Sequence, residues 1–230
     1  MEHPEMDMYA YERFLADGKT PFCGVDEAGR GPLAGPVCAA AVILPEGCMI
    51  PGLDDSKKLT AKKRDALNDI ICECAVAFGI AFATVDEIEA LNIKGATYLA
   101  MNRAIADMEP APVLALVDGN DRNELDIPAI KVVKGDSLCA SIAAASVLAK
   151  VTRDRYMDDM DTLYPEYGFA KHKGYGTAAH YAALREYGPS PIHRPTYLRK
   201  MHCAARCCSA VTGKRSRPNI SGKRAAAFSA

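Results

Sequence analysis

Acidic residues are missing from the end of the chain. Beyond Leu198 there are 8 Lys/Arg and no Asp or Glu, whereas residues 1–198 hold 20 Lys/Arg against 29 Asp/Glu. The net charge of -1 therefore conceals an acidic body and a basic tail. Long apolar runs are also lacking. Pro36–Leu44 falls far short of the ~20 residues that span a bilayer, and the opening residues are acidic where a signal sequence is basic. A cytoplasmic protein with no membrane partner is expected. The 17 Gly and 14 Pro are too few for a low-complexity chain, and no internal repeat is evident. Cysteine is not scarce, but nine is an odd number and no export signal accompanies it, which favours free thiols over a disulfide framework. Cys203, Cys207 and Cys208 beside His202 have no second pair at finger or ribbon spacing, so a zinc cluster is not expected. With 49% apolar and 25% charged residues, the 230-residue chain has the composition of a globular protein with a sizeable core.

Five apolar segments read as strands: Phe22–Val25, Pro36–Leu44, Ala75–Thr84, Val113–Val117 and Ile130–Val133. Helices are expected over Met8–Leu15, after Thr60 as N-cap with Leu67, Ile70, Ile71 and Cys74 on one face, from Thr84 onward, over Ile93–Met108 until Pro110 and Pro112, and over Leu138–Lys150. The last is small and apolar nearly all round, as a helix packed on a sheet must be. Strands in succession followed by strands alternating with helices predict an α/β protein, a mixed sheet with helices on its faces. Helix and loop follow Tyr164-Pro165, and residues 213–224 read as a flexible basic tail.

Four carboxylates, Asp26, Glu27, Asp118 and Asp136, each follow an apolar strand and stand beside glycine. The carboxyl ends of strands are where ligands collect in open α/β sheets. If the strands are neighbours the acids converge, and carboxylates packed together repel unless cations join them. An all-oxygen set without His or Cys suits Mg²⁺ or Mn²⁺ better than zinc. Two such ions ~3.5–4 Å apart can clamp both oxygens of an in-line phosphoryl displacement, so the chemistry implied is phosphodiester hydrolysis. Taken singly, each acid also reads as a turn residue, a helix cap or a solvated strand end.

Gly29-Arg30-Gly31-Pro32-Leu33-Ala34-Gly35 is not a dinucleotide cradle, because prolines and a strand follow it where a helix would have to begin. Its glycines still allow a ligand close to the backbone, and Arg30 offers a planar donor for phosphate.

The run from Gly24 to Val37 resembles the signature of ribonuclease HII, the bacterial type 2 ribonuclease H. Asp55-Ser56-Lys57-Lys58-Leu59, Val117-Asp118-Gly119, Lys134-Gly135-Asp136, Ser141 to Ser146, Ala149 to Asp154 and His172 to Thr177 match further blocks in the same order, so the resemblance covers about residues 20–198. Ribonuclease HIII lacks the glycine-arginine-glycine pattern and is set aside.

The resemblance implies a ribonuclease H-like fold over 18–198, with a mixed five-stranded sheet and a helical C-terminal extension, leaving 199–230 as a tail. It implies a monomeric endonuclease that cleaves the RNA strand of RNA-DNA hybrids and incises ribonucleotide-containing duplex DNA on the 5′ side, giving 5′-phosphate and 3′-hydroxyl ends. Asp26, Glu27, Asp118 and Asp136 would hold two Mg²⁺ or Mn²⁺ ions. Gly29, Arg30 and Gly31 would read the 2′-hydroxyl, the feature that separates RNA from DNA, with Tyr175 packed at the junction sugar. Lys57 and Lys58 would hold phosphates, and Lys150, Arg153, Lys171 and Lys173 are further phosphate candidates. The competing reading is a non-catalytic nucleic-acid binding module built on the basic, aromatic last third, with the tail as a separate interaction element.

Overall fold

The computed structural model describes residues 6–53, 56, 59–120 and 124–199. The five strands are β1 (Phe22–Ala28), β2 (Val37–Ile43), β3 (Ala77–Ala83), β4 (Leu114–Asp118) and β5 (Ala129–Val132). They form one sheet in the order β3-β2-β1-β4-β5. β1 pairs antiparallel with β2, and β2 with β3, whereas β4 runs parallel to β1 and β5 parallel to β4. The helices are α1 (Met8–Ala16), α2 (Ala61–Cys74), α3 (Val85–Ala106), α4 (Gly135–Leu138), α5 (Ala140–Leu163), α6 (Phe169–His172) and α7 (Ala178–Tyr187). This is the expected α/β architecture, with α6 and α7 as its helical extension.

The local signals act as expected. Thr60 accepts from the Lys63 N–H to start α2. Thr84 and Glu87 cap each other's backbone to start α3. Asn92 breaks α3 with φ 58, and its Oδ1 caps the second stretch by accepting from Lys94 and Gly95. Ala75 and Thr84, read as strand, are instead helix caps flanking β3.

Two boundaries differ in ways that matter. β1 does not stop at Val25: its antiparallel pairing with β2 continues to Ala28, so Asp26 and Glu27 lie within the strand. α5 does not stop at Lys150 but continues to Leu163, because Val151, Arg153 and Met157 extend its buried face while the opposite face becomes charged.

Helices cover both faces of the sheet. On one, α3 packs Ala96, Ala100, Met101 and Ala104 against Val25, Val37, Ala39 and Val117. On the other, α5 and α2 pack Ala143, Ala144, Leu148 and Ile71 against Cys38, Ala40 and Val42. Small residues bring α5 very close: a Cβ on Gly24 of β1 would lie 2.1 Å from the Ser141 carbonyl carbon. Among the described cysteines none is in a disulfide, and burial pushes the Cys23, Cys38 and Cys139 thiols up to about 12. No helix among the described residues is long and apolar enough to cross a membrane.

Met1–Pro195 form one compact unit and Thr196–Ala230 a second, of which only 196–199 are described. The expected basic tail therefore lies, but for Arg199, outside the described residues, as does the His202 and Cys203 cluster.

Candidate active site

Strand register brings the acids together. Val25 of β1 lies beside Val117 of β4, and one residue further along these parallel strands stand Asp26 and Asp118. Side chains alternate faces along a strand. Val25 and Val117 face α3, so Asp26 and Asp118 turn to the α5 side, as Leu116 does against Ile142. Asp136 comes from α4, which β5 reaches through Lys134 in the left-handed conformation, φ 57. The Gly135 N–H donates to Asp118 Oδ1 at 2.7 Å. A Cβ at Gly135 would stand 2.6 Å from Ile142 Cδ1, so a side chain here would require the Ile142 methyl to shift. As a result Asp26, Asp118 and Asp136 each offer an oxygen within 4.8 Å of the others.

Glu27 is not in that cluster. Alternation turns it toward the α3 side, where it lines a cavity with Lys94, Thr97, Tyr98 and Lys131 that Asp118 also borders, and it lines the cleft of Asp26 and Asp118 as well. Its Oε1 is 3.4 Å from Arg30 Nη1. It still acts on Asp26 electrostatically. Burial above all, then the charges of Glu27 and Asp118, hold the Asp26 carboxyl well above the usual carboxylate range, against hydrogen bonds from Ser146 and the Glu27 N–H. Three crowded carboxyls, two of them buried, with no nitrogen or sulfur ligand, form a donor set that fits a hard divalent cation such as Mg²⁺ or Mn²⁺.

A cleft of about 250 Å³ opens on the α5 side of the acids. Gly29, Arg30 and Gly31 line it together with Lys150, Ser146 and Tyr175, whose ring is half exposed. Gly31 and Tyr175 are neighbours, since a Cβ on Gly31 would stand 3.7 Å from Tyr175 Cε1. Lys57 and Lys58 lie outside the described residues, although Ser56 before them is buried, its Oγ 2.8 Å from Ser146 Oγ.

The family description for ribonuclease HII matches residues 23–203, most of the chain and all four acids. The chain belongs to the ribonuclease HII family. A ribonuclease HII of Dechloromonas aromatica is 59% identical over 175 residues, covering 76% of this chain and 89% of the relative. The crystal structure of the Pyrococcus horikoshii ribonuclease H2 superposes with a TM-score of 0.66 at 26% identity, covering 80% of this chain and 98% of that one. Bst ribonuclease HIII, solved in complex with Mn²⁺, shares the fold at 16% identity, with a TM-score of 0.65 over 91% of this chain and 76% of its own. As a ribonuclease HII, the chain is a nuclease, an endoribonuclease.

Several residues around this ribonuclease HII cleft escape a reading by strand ends. Ser146, Lys150 and Arg153 recur on α5 at i, i+4 and i+7, one polar stripe on an apolar helix, and that spacing was the available signal. Lys150 lines the cleft while its Nζ donates to Asp154 at 2.6 Å, and burial lowers its pKa. Arg153, a phosphate candidate by sequence, is 1% exposed, and its described bonds go to backbone carbonyls. Lys173 pairs with Asp158.

Proposed function

We propose that this endonuclease hydrolyses the RNA strand of RNA-DNA hybrids and incises duplex DNA on the 5′ side of an embedded ribonucleotide, leaving 3′-hydroxyl and 5′-phosphate ends. The observation that carries the proposal is the convergence of Asp26, Asp118 and Asp136 oxygens within 4.8 Å, at the mouth of a cleft walled by the Gly29–Gly31 loop.

In this reading Asp26, Asp118 and Asp136, with Glu27 at the adjoining face, hold two Mg²⁺ or Mn²⁺ ions. Bound there, such ions supply Lewis-acid polarisation of the phosphodiester and a water acidic enough to attack it. The chain's own groups set the geometry. The Gly135 N–H fixes Asp118, and Ser146 and the Glu27 N–H fix Asp26. Gly29, Arg30 and Gly31 read the ribose 2′-hydroxyl through the backbone, Tyr175 packs on the junction sugar, and Lys57 and Lys58 hold phosphates along the strand. Contacts to backbone, sugar and 2′-hydroxyl ignore base identity, so cleavage follows the sugar and not the sequence. The protein acts as a monomer in the cytoplasm.

Duplex DNA carrying one ribonucleotide, incubated with Mg²⁺ or Mn²⁺, tests this. Incision 5′ to the ribonucleotide is expected from the wild type. Asp118→Asn and Asp136→Asn are expected to lose on the order of a thousandfold in kcat, about 4 kcal/mol of barrier, with duplex binding retained. An intact protein that leaves the duplex whole, or an Asp118→Asn chain that cuts normally, defeats the proposal.

A further inference from the structure

Arg153 and Arg194 are the two largest fully buried side chains described, at 1% and 0% exposure. A buried guanidinium is costly unless its donors are satisfied, and here the acceptors are backbone carbonyls. Arg194 donates from Nε to Gly35 O at 2.9 Å, from Nη1 to Arg30 O at 2.9 Å and from Nη2 to Gly29 O at 2.6 Å. Arg153 donates from Nε to Pro36 O at 3.0 Å, from Nη2 to Ala34 O at 3.1 Å and from Nη1 to Lys173 O at 3.0 Å. Five of these six bonds end on one loop, residues 29–36.

We propose that Arg194, backed by Arg153, is a positioning residue that sets substrate specificity by turning the Arg30 and Gly31 N–H groups toward the ribose. The argument is peptide geometry. In a trans peptide the C=O of one residue and the N–H of the next point in opposite directions. The cis bonds described are Thr20–Pro21 and Glu109–Pro110, so both peptides here are trans. With the Gly29 and Arg30 carbonyls held inward by Arg194, the N–H groups of Arg30 and Gly31 face the opposite way, toward the cleft these residues line.

The packing agrees. A Cβ on Gly29 would fall 1.9 Å from Arg153 Nε, so the loop rests directly on the guanidinium and that position admits no side chain. On its outer side, Gly31 meets Tyr175. The flanks are tied as well: Leu33 N–H donates to Gly174 O, Gly35 N–H to Ile192 O, and Arg194 N–H to Leu33 O. A planar fork reaches three carbonyls at once, which a lysine ammonium on a flexible stem does not.

The inference rests on the reading that residues 29–31 meet the ribose, and the experiment separates the two. The full chain, labelled with ¹⁵N and kept free of divalent cations, is mixed with a duplex carrying one ribonucleotide or with its all-deoxy counterpart. In the free wild type, the Arg30 and Gly31 amides are expected to exchange rapidly with water. They should become protected and shift when the ribonucleotide duplex binds, and not with the deoxy duplex. Slow exchange of these amides in the free protein overturns the outward presentation without any variant. Fast exchange with identical responses to both duplexes removes the ribose reading, and the proposal falls with it.

Arg194→Lys is expected to lose the ribonucleotide-dependent response and at least about thirtyfold in kcat/KM, roughly 2 kcal/mol. Arg194→Ala should regain activity with millimolar guanidinium, a rescue that a general packing defect would not give. A folded Arg194→Lys enzyme with wild-type kcat/KM and an unchanged amide response overturns the positioning role and leaves the ribose reading standing.

Discussion

His172, His180 and His193 lie together beside the Gly174–Thr177 turn, and their hydrogen bonds leave each ring a single tautomer. His172 Nδ1 accepts from the Gly174 N–H, so its Nε2 carries the proton and donates to Tyr167 O. His193 Nδ1 accepts from the Ser190 N–H, so its Nε2 donates to His180 Nε2 at 2.9 Å. His180 then donates from Nδ1 to Tyr175 O at 2.9 Å. The His193 and His180 rings are neutral, and the chain of bonds through them ends on the residue proposed to meet the sugar. Burial and then the neighbouring His180 push His193 down to about 4, and burial lowers His180 as well. Since the unfolded ring takes a proton near pH 6.5, the stability due to neutral His193 is complete above that pH. It is lost as pH falls toward 4, by about 3 kcal/mol in all. Glu12 and Asp26, whose pKa values are raised, work in the opposite sense. The measurement is therefore a difference: urea unfolding of the wild type should weaken between pH 6.5 and 4 more steeply than that of His193→Gln. Parallel curves would contradict the assignment.

At the scale of elements, α5 is held at both its start and its face by residues far away in sequence. Glu12 of α1 is buried, and its Oε2 accepts from Ser141 N and Ser141 Oγ, both at 2.7 Å, capping a helix whose own N-cap residue, Cys139, gives no side-chain bond. Glu12→Ala is expected to cost about 2 kcal/mol by leaving those donors without their acceptor, read from the urea midpoint. Gly24→Ala should cost about 3 kcal/mol or more in the same assay, since its methyl would meet helix backbone that cannot rotate away. The contrast between these residues and the acids explains what could be read without coordinates. All five strands, the Thr60 and Thr84 caps and the Asp26, Asp118 and Asp136 cluster follow from signals carried within a few residues: apolar runs, cap chemistry, an acid beside glycine. Glu12 and Arg194 find the partners named above 129 to 165 positions away and Arg153 two of its three at 117 and 119, and nothing local marks them. Glu27 borders the same cleft from the neighbouring face of β1, a placement that follows from strand alternation and not from its adjacency to Asp26 in sequence.

For the molecule as a whole, charge sets the terms of substrate binding. Residues 1–198 carry nine more acids than bases, 29 against 20, so nucleic acid is drawn to local cations and repelled by the body. If Arg30, Lys57, Lys58 and Lys150 each meet a phosphate, log K for an RNA-DNA duplex should fall with log salt at a slope of about −3 to −4. Fluorescence anisotropy on Asp118→Asn measures it without cleavage. Truncation after Leu198 removes 8 cations and is expected to change that slope by less than about one; a larger change would make the tail a nucleic-acid element. The spacing of Arg194 from Gly29 has an outcome in time as well. At roughly 5–20 residues per second, a ribosome needs about 8 to 33 s to add the 165 positions between them. All three clustered acids are in the chain before Arg194 is added, the last of them, Asp136, by 58 positions, so the clamp proposed for the glycine loop is the last part of the site to be synthesised.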